Sequence, residues 1–208
     1  DHKDIVLDKT PAYALVLPFL SSIYPDAHYV VLTRHPAAIT LSHADSFFDG
    51  DLAAAHAHNP ILERYVPAIA TFLRDSEPPL RFHVRYEDLV TDPETWMNRL
   101  CHFLDIPFDG RMLEYNNHTL GTASPPGLAD PKGASHRTRP DSASLLRWAD
   151  TLASDPERLA FVQNIIHKLD PDDLETLGYP ISELWKPLES RLGNTFKPRH
   201  RTLTAYAI

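Results

Sequence analysis

Five consecutive residues, Tyr29-Val30-Val31-Leu32-Thr33, are aromatic, aliphatic or β-branched, and the run stops abruptly at Arg34-His35-Pro36. A near-continuous run of this kind reads as a strand covered on both faces, the habit of parallel sheets. Pro36 falls where a helix accepts proline in its first turn, and residues 37–48 continue with helical spacing. A strand that passes straight into a helix through a cationic turn restricts the chain to alternating α/β architectures.

Two further strands fit that frame. Ile5-Val6-Leu7 is short and apolar and leads into Asp8-Lys9-Thr10-Pro11, and residues 80–86 form a third run, Leu80-Arg81-Phe82-His83-Val84-Arg85-Tyr86. Helices are expected over residues 12–22, 61–74, 91–104, 142–152 and 156–169. Ile61, Tyr65, Ala68, Ile69 and Phe72 share one face of the second of these, and Trp96, Leu100 and Phe103 the buried side of the third. Residues 50–59 read as a mobile loop and residues 121–141, rich in Pro and Gly, as a long functional loop. Leu177-Gly178-Tyr179-Pro180 is a stop signal. The expectation is an α/β domain over residues 1–180, its mainly parallel sheet flanked by helices, and a basic, peripheral tail or linker over residues 181–208.

Charge and composition narrow the function. With 28 acidic against 20 basic residues, a net charge of -8 argues against a broad surface for nucleic acid or anionic membrane but leaves room for a local basic pocket. No apolar run approaches the roughly 20 residues that cross a bilayer. The single cysteine, Cys101, excludes an internal disulfide and argues for a reducing compartment, here the cytoplasm. His56-Ala57-His58 has no acidic or cysteine partner at ligand spacing, so no metal is expected.

In such sheets ligands bind beyond the carboxyl ends of the strands. The three exits are Asp8-Lys9-Thr10, Thr33-Arg34-His35 and Arg85-Tyr86-Glu87, which would bring Lys9, Arg34 and Arg85 to one rim. Three cations on one rim of an acidic protein point to a phosphate or sulfate ligand. Ser42, eight residues beyond Arg34, falls about two turns into the helix and offers a neutral donor. Plainer readings stand beside these. Arg34 could pair with Asp45 or Asp49, Ser42 could bond back onto its own helix, Lys9 could be an ordinary surface lysine, and Tyr86 could be half-buried core. For Arg85 and Glu87 a structural ion pair is the favoured reading.

Arg34-His35-Pro36 with Ser42 resembles the 3′-phosphate-binding segment of sulfotransferases that use 3′-phosphoadenosine 5′-phosphosulfate (PAPS). Asp8-Lys9-Thr10-Pro11-Ala12-Tyr13 resembles that family's lysine turn, and Val84-Arg85-Tyr86-Glu87-Asp88-Leu89 its adenine-contacting segment. Phe103-Leu104, Pro107-Phe108, Gly127-Leu128-Ala129-Asp130-Pro131-Lys132, Trp148 and Leu177-Gly178-Tyr179-Pro180 are similar to the closing part of bacterial members. The resemblance implies a P-loop-NTPase-like sulfotransferase fold and transfer of a sulfonyl group from PAPS to a hydroxyl of a small-molecule or carrier-bound acceptor. It implies Lys9 as the catalytic cation, Arg34 and Ser42 on the 3′-phosphate, Tyr86 at the adenine and Arg139 as a further phosphate contact. His136, in the loop with Lys132, Arg137 and Arg139, is the candidate base, with His118 as its competitor.

The family's glycine-rich 5′-phosphosulfate loop has no counterpart here, where 7 glycines are scattered. The chain opens at Asp1 and is apolar by Ile5, so the domain is expected to be N-terminally incomplete, with that loop upstream and a neighbouring domain at either end. A P-loop nucleotide kinase and a degenerate, partner-binding relative are the rival readings.

Overall fold

The computed structural model describes residues 5–75, 80–114, 142, 144–193 and 196. Strand β1 (Tyr29–Thr33) runs parallel to β2 (Arg81–Arg85), in register from Tyr29 opposite Arg81 to Thr33 opposite Arg85. Parallel strands need a long crossover, and here it consists of α2 (Pro36–Phe47), α3 (Leu52–His58) and α4 (Ile61–Asp75). Because the register ends flush, the turns that leave the two strands emerge side by side.

Local chemistry starts several of these elements. Pro36 occupies the first turn of α2, and His35 caps it by accepting the Ala37 N–H on Nδ1 at 3.3 Å. Ala37, Ala38, Leu41 and Ala44 lie on the buried face of α2, and the three alanines let α3, α4 and the later helices approach closely. In α4 the buried stripe is Leu62, Val66, Ala70 and Leu73, spaced as one helix face. After β2 come α5 (Tyr86–Thr91) and α6 (Pro93–Phe103), the latter capped by Asp92 on the Thr95 N–H. The closing helices are α7 (Arg147–Ser154), α8 (Pro156–Ile166), α9 (Pro171–Thr176), α10 (Ile181–Leu184) and α11 (Lys186–Leu192).

Several sequence expectations change. Ile5, Val6 and Leu7 form no strand: Val6 is 91% exposed, and no neighbouring strand among the described residues takes up their backbone groups. β1 is covered on one face only, since Val30 and Leu32 are 44% and 53% exposed while Val31 and Thr33 are buried. The first helical segment is a 3₁₀ turn (Pro11–Val16) that runs into α1 (Leu17–Ile23). The expected loop at residues 50–59 contains α3, which Asp51 starts by accepting the Ala54 N–H at 2.9 Å. Of the expected face of α4, Phe72 is buried, while Ile61, Tyr65, Ala68 and Ile69 form the half-buried flank of the stripe. In α6 only Cys101 is fully buried, and Trp96, Leu100 and Phe103 are half-buried. Within the expected peripheral tail, residues 181–192 are not peripheral: Leu184, Trp185 and Leu188 of α10 and α11 lie in the core, with the Trp185 and Trp148 rings 6.5 Å apart. The long loop at residues 121–141 lies outside the described residues.

Candidate functional site

The rim where β1 and β2 end carries Thr33-Arg34-His35 on one turn and Arg85-Tyr86-Glu87 on the other. The Arg34 guanidinium stacks on the Tyr86 ring at 4.5 Å from its centroid. Arg34 is half-buried, and among the described residues no carboxylate pairs with it, neither Asp45 nor Asp49. A guanidinium over an aromatic face gains cation–π attraction without using its N–H donors, which remain available to an anion such as phosphate.

Both neighbours of Arg34 are pinned. Thr33 Oγ1 lies 2.9 Å from His83 Nε2 and donates to the Leu177 carbonyl at 3.3 Å. Since that hydroxyl has one proton, the His83 contact is an Nε2–H donating to Thr33. On the other side the His35 backbone N–H donates to Glu87 Oε1 at 2.9 Å, and Glu87 Oε2 accepts the Tyr179 hydroxyl at 2.7 Å. The His35 ring accepts on Nδ1, so its proton sits on Nε2 and is donated to the Leu184 carbonyl at 2.9 Å. That ring stacks on Trp148 with centroids 3.9 Å apart and meets the edge of Tyr179 at 5.8 Å. Burial lowers the His35 pKa to about 4, against smaller upward contributions from the Leu184 hydrogen bond and Glu87, so the imidazole is neutral near pH 7. Burial, with the Glu87 charge and hydrogen bond, pushes the Tyr179 phenol well up, which fixes it as a donor.

Arg85 does not join the open rim. Its side chain turns back to Asp88 with contacts of 2.6 and 2.7 Å and donates to the Gly178 carbonyl at 2.9 Å. The structural role expected for Arg85 and Glu87 therefore holds with different partners: Arg85 pairs with Asp88, and Glu87 serves His35 and Tyr179. Gly178 has φ +84°, and a Cβ there would lie 2.6 Å from Arg85 Cδ, so only glycine allows the guanidinium to pass.

The remaining expected site residues are placed less closely. Lys9 is exposed and forms no hydrogen bond or ion pair among the described residues, although its turn is shaped by Asp8, which accepts from Thr10 at 3.1 Å and Tyr13 at 3.0 Å. Ser42 lies on the exposed face of α2. His136 and Arg139, with His118, fall outside the described residues. A cavity of about 390 Å³ lined by Leu73, Arg81, His83 and Thr176 opens from the entry of β2, at the other end of the strand from Arg34 and Tyr86. Sequence reasoning missed His35, Glu87 and Tyr179 as a set, because their bonds join positions 52 and 92 residues apart. Among the described residues no cluster of three His, Cys, Asp or Glu is disposed to hold a metal, and no helix is long and apolar enough to cross a membrane.

The profile of the sulfotransferase family matches residues 1–110. The chain belongs to the sulfotransferase family. Protein-tyrosine sulfotransferase 1 of Danio rerio is 25% identical over 175 residues, 79% of this chain and 48% of that protein. Nodulation protein NoeE of Sinorhizobium fredii is 48% identical over 40 residues, 19% of this chain and 10% of that one. The chain thus spans half or less of the length of these curated relatives. Among solved structures, the sulfotransferase domain from the Synechococcus PCC 7002 olefin synthase superposes with TM-score 0.57 at 26% identity, covering 78% of this chain and 58% of that domain. The α/β architecture with a parallel sheet flanked by helices is accordingly the sulfotransferase fold.

Proposed function

We propose that this chain supplies the 3′-phosphate end of a PAPS site and serves a cytoplasmic sulfotransferase that moves a sulfonyl group to an acceptor hydroxyl, small or carrier-bound. The observation that carries this reading is the Arg34–Tyr86 stack at 4.5 Å. Adenine and the 3′-phosphate hang from one ribose, so a site for both needs an aromatic ring and a guanidinium within a few ångströms of each other, and Arg34 over one face of Tyr86 supplies that pair. Ser42, on the helix that follows Arg34, adds a neutral donor. Lys9 meets charge at the reacting end, and His136 takes the acceptor proton, with Arg139 as a further phosphate contact. In that reaction the acceptor oxygen bonds to sulfur, the bridging S–O bond breaks, and adenosine 3′,5′-bisphosphate leaves with the electron pair.

The test is an NMR titration with adenosine 3′,5′-bisphosphate, adenosine 5′-phosphate and ATP. The bisphosphate should bind tightest, and Arg34→Ala should weaken it by about 1.5–3 kcal/mol, the range for hydrogen bonds to charged groups, while leaving adenosine 5′-phosphate little changed. Ser42→Ala should cost about 0.5–1.5 kcal/mol. Tighter binding of ATP would favour a nucleotide kinase, and equal Arg34→Ala losses for ligands with and without the 3′-phosphate would remove the assignment.

A further inference from the structure

Four of the hydrogen bonds that hold the strand exits reach one short stretch of chain, beside those the exits make to His83, Glu87 and Asp88. Thr33 donates to the Leu177 carbonyl, Arg85 to the Gly178 carbonyl, the Tyr179 hydroxyl to Glu87, and the His35 ring to the Leu184 carbonyl. These residues flank Arg34 on both sides and precede and follow Tyr86, yet neither Arg34 nor Tyr86 is itself bonded to the stretch. The stretch is anchored in turn, since Leu177, Tyr179 and Leu184 are buried at 5% exposure or less.

We propose that residues 177–184 are a clasp whose role is to position Arg34 over Tyr86, with Glu87 and Tyr179 as its positioning residues. Arg34 sits between two backbone-fixed neighbours, so its side chain leaves the turn in one direction. Tyr86 sits between Arg85, tied to Gly178, and Glu87, tied to Tyr179 and to the opposite turn through His35. Glu87 is the point where the three segments meet, one oxygen on the β1–α2 turn and the other on the clasp. The site the clasp holds ready is the nucleotide rim of the preceding section, and in that respect the inference rests on that reading.

The stack has its own signature, which allows a test that needs no ligand. Ring current from Tyr86 shifts the Arg34 side-chain resonances upfield, and Tyr86→Leu in the 208-residue chain defines the unshifted position. Three variants follow: Gly178→Ala, which drives a Cβ against Arg85; Glu87→Ala, which deletes the junction; and Tyr179→Phe, a milder loss of one hydroxyl. In each variant whose thermal melt stays cooperative, at least about half of the Arg34 shift should vanish, as expected for loss of a charge-assisted anchor. Glu87→Gln should restore most of it, because an amide can still accept from the His35 N–H and donate to Tyr179. Adenosine 3′,5′-bisphosphate should bind about tenfold more weakly to Glu87→Ala than to Glu87→Gln. A full Arg34 shift in folded Tyr179→Phe and Glu87→Ala overturns the clasp. Absence of bisphosphate binding to the unsubstituted chain, with the shifts behaving as described, overturns the functional reading and leaves the clasp standing.

Discussion

The two cation-bearing turns, around Arg34 and around Lys9, have opposite kinds of support. Thr33 and His35 are buried and bonded to β2, α5 and the late segment, so the Arg34 turn is held from outside itself. The Lys9 turn is exposed and depends on Asp8 gathering Thr10 and Tyr13 within five residues. Long-range bonds fix a geometry before any ligand arrives, and short-range bonds leave a turn able to follow one. An arginine already oriented loses little side-chain freedom on binding, whereas an exposed lysine surrenders most of its own.

The contrast can be broken from the anchored side first. Trp148→Ala removes the ring stacked on His35 and opens the core, and should destabilise the fold by about 3–5 kcal/mol, the range for buried aromatic truncations. Urea unfolding measures it, and a loss under about 1 kcal/mol would mean that the turn is not held through that ring. Acid attacks the same place. His35 stays neutral in the fold down to about pH 4, while in the unfolded chain it takes a proton near 6.5, so the unfolded state binds more protons in between. Stability should therefore fall by about 3 kcal/mol from this group as pH drops from 6.5 to 4, and no further below that. Unfolding midpoints across that window, with His35→Gln as reference, check the sign; an equal slope in the variant would assign the loss to other groups. At the Lys9 turn the effect should be small: Tyr13→Phe removes one exposed hydrogen bond and should change stability by less than about 1 kcal/mol. A melting shift as large as that of Trp148→Ala would erase the distinction between the turns.

Where the architecture followed from neighbouring residues, it was legible. The β-branched run at Tyr29, the proline at the entry of α2 and the alternation through Val84 identify β1, α2 and β2 and put Arg34 at an exit. Asp51 was a legible cap that a run of Ala and His obscured, so α3 passed for a loop. Leu184 and Leu188 stand at helical spacing, a core signal overshadowed by the basic residues near position 200. Ile5, Val6 and Leu7 show the reverse error, since strand-like composition forms no strand without a neighbour to bond. Arg34 and Tyr86 were both singled out from sequence, but their stacking was not, because it depends on a flush register between strands 52 residues apart. Nothing near Glu87 in the chain marks it as the junction of three segments.

The bonds that flank Arg34 span 50, 52, 144 and 149 residues. Each closes a loop whose entropy must be overcome before the bond contributes, and contacts of such separation form late on a folding pathway. During synthesis, α2 and α4 can assemble while the partners of Thr33 and His35 are still unmade. The bonds to Leu177 and Leu184 therefore form after the β1–β2 pair, and a chain released before residues 177–184 would carry Arg34 and Tyr86 at neighbouring exits without those later anchors.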